Sequence, residues 1–117
     1  MTMIIGGHHV YLLFCKDYEI FKIGETQGIH TRVKKLSKFL KYKTECIFVF
    51  TFERYSEAIK LEKILHKKFK KHNVPKINLP KFPGYTEFYD NVIFQDLMFF
   101  ILNSDFVYEF KIVNCRL

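Results

Sequence analysis

Four polar side chains of this 117-residue sequence have types and positions that suit a common reaction site: Tyr11, Lys22, Arg32 and Glu62. Tyr11 and Lys22 lie on two segments that are predicted to pair, where cross-strand neighbours can meet. Arg32 and Glu62 each lie beside the apolar stripe of a predicted helix. A phenol that deprotonates water, two cations that stabilise a phosphate and a carboxylate that holds one divalent metal ion suit phosphodiester cleavage.

The first three strands are predicted from apolar runs. Val10–Cys15 is apolar, Glu19–Gly24 alternates, and the polar break between them, Lys16–Tyr18, predicts a β-hairpin. Cys46–Phe52 is a continuous apolar run, which is typical of a strand covered on both faces.

Two amphipathic helices are predicted around these strands. The segment from Thr26 to Leu40 carries an apolar stripe, formed by Ile29, Val33, Leu36 and Leu40. The second helix is predicted to start at an N-cap, Ser56, and to end at about Lys71. Its apolar stripe consists of Ala58, Leu61, Leu65 and Phe69.

The C-terminal part of the chain follows a loop over residues 73–84 that contains all three prolines. We predict a short strand at Thr86–Tyr89, a helix from Asp90 or Asn91 to Leu102 and a last strand at Phe106–Val113. The order ββαβα(β)αβ predicts a single α+β domain over residues 1–117, a small, mostly antiparallel mixed sheet flanked by helices. The segment Val92–Leu102 is apolar nearly all round, which favours deep burial or an interface.

Composition favours a polyanionic partner. Hydrophobic residues make up 49% of the chain, which excludes wholesale disorder, and the net charge is +7. Four lysines of the two predicted helices are candidates for contact with a phosphate backbone: Lys34, Lys35, Lys38 and Lys67. The alternative is that they form ordinary solvated helix faces.

No membrane association is expected, because no apolar run approaches the roughly 20 residues of a bilayer span. The N-terminus shows no signal-peptide pattern. The three cysteines, Cys15, Cys46 and Cys115, have no metal-ligand spacing and indicate reduced thiols. These features predict a cytoplasmic protein, located in the host cytoplasm if it is viral or phage-encoded.

Several short motifs, in order, resemble the GIY-YIG nuclease domain. His9–Tyr11 matches the first tripeptide, Lys22–Gly24 begins eleven residues after Tyr11, and Arg32 follows Gly24 by eight residues. The segment Ala58–Phe69 contains LE-x-x-x-H and resembles the family's glutamate helix. TE-x-F and KIG in place of YIG are typical of a phage and bacterial branch. The resemblance covers a core of about residues 9–89, with residues 90–113 as an extension that could form a homodimer.

The resemblance implies roles for individual residues. Tyr11 would be the general base or would position the attacking water, Arg32 would stabilise the transition-state phosphate, and Glu62 would bind one Mg²⁺ or Mn²⁺ ion. Lys22 would favour the phenolate of Tyr11 or contact a phosphate. Asn78 is a loose match to an asparagine that often follows the glutamate helix.

Three further residues have open interpretations. His66 shares a helix face with Glu62 and is either an active-site histidine beside the metal carboxylate or a buried histidine bonded to backbone across the sheet. Glu87 is expected only to end a strand. His30 is expected to face solvent or DNA.

The sequence therefore predicts a metal-dependent endonuclease acting on DNA. Two departures from the family pattern, His9 for glycine and Lys22 for tyrosine, favour an alternative, a catalytically inactive nucleic-acid-binding module. A second alternative is a phage or viral effector that binds a host protein. Phe82 and Tyr85, on the proline-rich loop, are candidates for stacking on bases.

Overall fold

The structure is a computed structural model, and it describes residues 7–15, 20–29, 31–32, 34–35, 44–74 and 87–113. The strands in these ranges are β1 (His8–Cys15), β2 (Ile20–Thr26), β3 (Thr44–Phe52), β4 (Phe88–Asp90) and β5 (Glu109–Val113). The α-helices are α1 (Tyr55–Lys68) and α2 (Phe94–Leu102), with 3₁₀ turns at Lys70–His72 and Asn91–Ile93. Residues 29, 31–32 and 34–35 are also helical.

The five strands form one sheet in the order β4-β2-β1-β3-β5, and helices pack on it, which confirms the α+β class. The predicted hairpin is confirmed, with Tyr11 opposite Gly24 and Leu13 opposite Lys22. Every pairing among the described strands is antiparallel, so the expected mixed character is wrong for this part of the chain. The reason is that β4 and β5 both join the sheet at free edges and run opposite to their neighbours.

Both faces of the central strands are buried. One face packs against α1 and α2 through apolar side chains, among them Val10, Leu12, Phe21, Ile23, Phe50, Leu61, Leu65, Leu97 and Ile101. Because side chains alternate along a strand, Tyr11, Leu13 and Lys22 point to the opposite face, and they are buried there too. Val49 to Phe52 are all buried, which confirms the prediction that this strand is covered on both sides.

Several predicted boundaries differ from the observed ones. Ser56 is not the N-cap of α1, because Arg54 has the extended cap conformation and the helix begins at Tyr55. The helix ends at Lys68 rather than Lys71, since the following residues tighten into a 3₁₀ turn. Thr26 does not start the first helix, because it pairs with His9 in the sheet.

The two C-terminal elements also begin later than predicted. Asn91–Ile93 is a 3₁₀ turn, so the α-helix starts at Phe94, and β5 starts at Glu109 instead of Phe106.

The apolar C-terminal helix is only partly buried. Leu97 and Ile101 are fully buried, whereas Val92, Phe99 and Leu102 are 71%, 70% and 61% exposed. Deep burial is therefore wrong for the outer side of this segment. A homodimer through the extension stays a prediction.

Some predicted features lie outside the described residues. They are His30, Lys38, Asn78, Phe82 and Tyr85, together with the apolar stripe of the first helix beyond Ile29. Among the residues that are described, no helix is long and apolar enough to cross a membrane.

The core between α1 and the sheet generates a stability prediction. Leu61 is fully buried, so Leu61→Ala should lower the free energy of unfolding by about 2–5 kcal/mol through lost apolar contact and a residual cavity. Lys63→Ala, at an exposed position of the same helix, should change it by less than about 0.5 kcal/mol. Urea denaturation of both variants measures the difference, and equal midpoints would contradict this packing.

Candidate active site

Tyr11 and Lys22, predicted to be cross-strand neighbours, form a buried pair. Lys22 Nζ donates a hydrogen bond to the Tyr11 hydroxyl at 3.0 Å and lies 5.0 Å from the ring centroid. Their exposed fractions are 0% for Tyr11 and 2% for Lys22. Because residues 22 and 24 share one face of β2 and Tyr11 lies opposite Gly24, both side chains extend over that glycine.

Gly24 makes room for this pair. A Cβ atom added at this position would lie 2.5 Å from Tyr11 Cζ and 2.7 Å from Lys22 Nζ, closer than real Cβ atoms approach other heavy atoms. The glycine is therefore required by the space that the phenol and the ammonium occupy.

The environment of Tyr11 keeps its hydroxyl protonated at neutral pH. Burial raises the pKa of Tyr11, and the charges of Lys22 and Arg32 lower it only in part. Lys22 lowers the pKa of the phenol, as expected of a cation that favours the phenolate, but burial of the phenol outweighs the cations and the net pKa is raised.

Glu87 connects the buried pair to helix α1. Its Oε1 atom lies 3.5 Å from Lys22 Nζ, and its Oε2 atom lies 3.3 Å from His66 Nε2. The Ile23 amide donates to the Glu87 carbonyl at 3.0 Å, which holds this residue beside β2. Burial raises the pKa of Glu87, but contact with His66 and Lys22 outweighs burial, so the net pKa is lowered.

His66 lies between two carboxylates. Its Nε2 atom is 3.3 Å from Glu87 and 3.9 Å from Glu62, and its Nδ1 atom is 2.6 Å from the Tyr89 hydroxyl. Burial lowers the pKa of His66, but Glu62 and Glu87 outweigh it and raise the pKa to about 9. The partner across the sheet is therefore a tyrosine side chain, so the alternative of a histidine bonded to backbone is wrong in its partner, and the role of an active-site histidine stays a prediction.

Tyr89, the partner of His66 in this contact, is buried. Burial raises the pKa of Tyr89 to about 12, so its hydroxyl remains neutral. With His66 protonated and Tyr89 neutral, the Nδ1–H group of His66 donates to the Tyr89 oxygen.

Glu62, His66 and Glu87 fit a divalent cation. One donor atom from each residue lies within 4.8 Å of the other two, and the three residues are half-buried. Ligands about 2.1 Å from an ion are separated by about 3.0–3.4 Å, which matches the 3.3 Å between His66 and Glu87, whereas Glu62, at 3.9 Å, would have to move closer. Two carboxylates suit Mg²⁺ or Mn²⁺, and an imidazole must be neutral to coordinate, so binding would release the His66 proton.

Arg32 lies on the other side of the site, in the helical segment that follows β2. Its backbone amide donates to the Gly28 carbonyl at 3.0 Å. Its side chain is half-buried and acts electrostatically on Tyr11 and Glu25. It also lines an open cleft of about 530 Å³, together with Glu25, Lys35 and Tyr55 among others.

The predicted phosphate-binding lysines are distributed over two surfaces. Lys34 and Lys35 are exposed on the segment of Arg32, whereas Lys67 is exposed on α1. Of these three, Lys35 lines the cleft.

Four residues around the site were not predicted from the sequence as site residues: Glu25, Asn73, Glu87 and Tyr89. The TE-x-F motif carried a signal for Glu87. Asn73 donates to the Phe88 carbonyl at 3.1 Å and so ties the end of α1 to β4.

An antiparallel α+β domain with a Glu–His–Glu cluster beside a cleft lined by cations has the features of a nuclease-like module. Comparison with protein families supports this class. The T5orf172 domain matches residues 8–96, and the chain therefore belongs to the T5orf172 domain family, a phage-associated domain that is linked to nucleases. No curated protein and no solved structure matches the chain.

The crowding at Gly24 generates a paired prediction. Gly24→Ala should lower the free energy of unfolding by about 1–3 kcal/mol, because the methyl group displaces Tyr11 and Lys22. Gly28→Ala is the matched control, since the nearest atom would lie 3.7 Å away. Urea denaturation compares the two, and a Gly24→Ala protein as stable as the control would contradict the packing of the pair.

The raised pKa of His66 predicts a pH-dependent contribution to stability in the metal-free protein. The folded value of about 9 exceeds the ordinary 6.5, so the contribution is complete below about pH 6.5 and is lost as pH rises through 9. In EDTA, wild type should exceed His66→Gln in stability at pH 6, and the gap should narrow by pH 10. His72→Gln, at an exposed position, serves as control. A pH-independent gap in thermal denaturation would contradict the ion pairs.

Proposed function

We propose that this protein is a metal-dependent endonuclease of the GIY-YIG type that hydrolyses DNA phosphodiester bonds. The observation that carries the proposal is the linked contact Tyr11–Lys22–Glu87–His66–Glu62. It joins the residues of the two tripeptide motifs to the glutamate of the helix motif, although these residues are far apart in the sequence. Membership of a nuclease-linked phage domain family is consistent with it.

Glu62, His66 and Glu87 would hold one divalent ion, Mg²⁺ or Mn²⁺. When bound, such an ion stabilises the negative charge that develops on the leaving oxygen of a phosphodiester. Until then, the His66 proton neutralises part of the charge of the two carboxylates, as its raised pKa indicates.

Arg32 would bind the phosphate that is cleaved. Its side chain is half-buried and lines the cleft, and the planar fork of a guanidinium can donate two hydrogen bonds to phosphate oxygens. Lys35, in the same cleft, would contact a neighbouring phosphate as a point charge.

Tyr11 and Lys22 would form the inner layer of the site. The ammonium of Lys22 fixes the Tyr11 hydroxyl and also faces Glu87, so it positions both groups. Because Tyr11 is completely buried and its hydroxyl stays protonated, it would orient the attacking water rather than deprotonate it, and only after the substrate opens the site.

The same burial favours a second candidate function, a nucleic-acid-binding module without turnover. In that case the cations would still hold DNA, with an affinity that falls as salt rises, and the Glu–His–Glu cluster would be a structural ion-pair network. The two candidates differ in their dependence on Glu62.

Cleavage of supercoiled plasmid with Mg²⁺ or Mn²⁺ distinguishes them. Wild type should nick the plasmid, whereas Glu62→Gln and Arg32→Ala should lower the rate at least about 100-fold, since Glu62 would hold the metal ion and Arg32 would bind the phosphate on which charge develops. Glu53→Gln, an exposed glutamate outside the cluster, is the control and should cleave like wild type.

Two tyrosine substitutions, one at the site and one as a control, test the role of Tyr11 in the same assay. Tyr11→Phe removes one hydroxyl with little change of shape and should slow cleavage, whereas Tyr108→Phe on the C-terminal extension should not. A plasmid shift at low salt without cleavage would support the binding module instead. If the plasmid is neither shifted nor cleaved, this result would point to a protein partner or an RNA substrate.

A further inference from the structure

The cleft beside Arg32 has the size and lining of a ligand site. Its volume of about 530 Å³ falls within the range of about 300–1,000 Å³ that is typical of small-molecule sites. It lies between the end of β2, the helical segment of Arg32 and the start of α1, where Tyr55 stands. The proposed chemistry uses only Arg32 and Lys35 from this lining, so Glu25 and Tyr55 have no assigned role.

One wall of the cleft is aromatic. The Tyr55 side chain is 50% exposed, and its ring packs edge-on against His8 with centroids 5.5 Å apart. The ring thus has a neighbour on the side of His8, while half of the Tyr55 surface stays accessible. Such a ring is a platform on which a nucleobase can stack.

The lining also includes Glu25, which carries an acceptor that lacks a donor in the described part of the chain. Glu25 Oε1 is buried and has no hydrogen-bond partner among the residues that the structure describes. The carboxylate lies within electrostatic reach of Arg32, Glu62 and His8, and His8 Nδ1 is likewise buried without a partner in the described ranges. An unpaired buried acceptor is costly and is satisfied by a ligand that brings an N–H group.

We propose that this cleft is a nucleotide subsite for an unpaired base next to the scissile phosphate, and that it selects a base with an exocyclic amino group. Tyr55 stacks on the base, the amino group donates to Glu25, and Arg32 with Lys35 binds the adjoining phosphates. This inference rests on the proposed function, because it takes the nuclease substrate as its ligand.

The preference of the subsite among the four bases follows from the Glu25 carboxylate, which accepts hydrogen bonds. Adenine, cytosine and guanine each present an amino group, and guanine presents a second N–H beside it. Thymine presents an N–H flanked by two carbonyl oxygens, which a carboxylate repels. The subsite should therefore disfavour thymine, and an extruded or single-stranded base fits it better than a stacked base pair.

Stacking is tested with a thymidine pentamer that carries 2-aminopurine at its centre, in EDTA to prevent cleavage. The fluorescence of this base is quenched when it stacks on an aromatic ring. Wild type and Tyr55→Phe should quench it, and Tyr55→Leu should lose the quenching and about tenfold in affinity. Tyr108→Leu, which removes an aromatic side chain outside the cleft, should behave like wild type.

Base selection is tested with pentamers d(TTXTT), where X is each of the four bases. Wild type should bind the guanine, adenine and cytosine oligomers several-fold more tightly than all-thymidine, with guanine first. Glu25→Gln, whose amide can pair with thymine, should abolish that preference, whereas Glu53→Gln should keep it.

The outcomes separate the subsite from the function on which it rests. Binding of every pentamer by wild type with equal affinity, unchanged by Tyr55→Leu and Glu25→Gln, would overturn the subsite and leave the nuclease proposal standing. Failure of wild type to bind any pentamer at low salt, together with plasmid cleavage, would overturn the subsite alone, whereas failure to bind pentamers and to cleave plasmid would overturn both. Circular dichroism of each variant verifies that a loss of binding does not reflect unfolding.

Discussion

The structure depends on how the buried ammonium of Lys22 is satisfied. A charge removed from water is tolerated only with close polar partners, and here the partners are the Tyr11 hydroxyl and the Glu87 carboxylate. This requirement explains why residue 24 has no side chain and why Glu87 stands at the start of β4. It also couples the hairpin to the edge strand, because Lys22 lies on β2 and Glu87 directly precedes β4.

Beyond Glu87, charges alternate in sign. Lys22, Glu87, His66 and Glu62 follow one another, so each carboxylate faces a cation when His66 is protonated. The inner end of this chain is sealed, and the outer end is partly open to solvent. The buried inner end keeps Tyr11 and Lys22 in fixed positions, and the partly exposed outer end leaves the carboxylates accessible to an ion. The arrangement therefore combines a structural ion-pair network with the donor set of a metal site.

Local patterns in the sequence predicted most of the scaffold. The apolar runs located β1, β2 and β3, and the predicted hairpin placed Tyr11 and Lys22 on neighbouring strands, where their side chains can meet. Glu87 could not be assigned in this way, since its contact with Lys22 depends on the pairing of β4 with β2 across 65 residues of sequence. The raised pKa of Tyr11 was also unpredictable, because it results from burial that long-range packing produces. Ser56 failed as a cap because the turn after β3 already places Arg54 in the extended conformation.

The central claim is that Glu62, His66 and Glu87 act together as one metal site. Electron paramagnetic resonance of Mn²⁺ titrated into wild type, Glu62→Gln, Glu87→Gln and Glu53→Gln tests it without reference to any substrate. The account predicts one ion per chain in wild type and in Glu53→Gln, with at least about tenfold weaker binding in the other two variants. Unchanged Mn²⁺ binding in Glu87→Gln would contradict it.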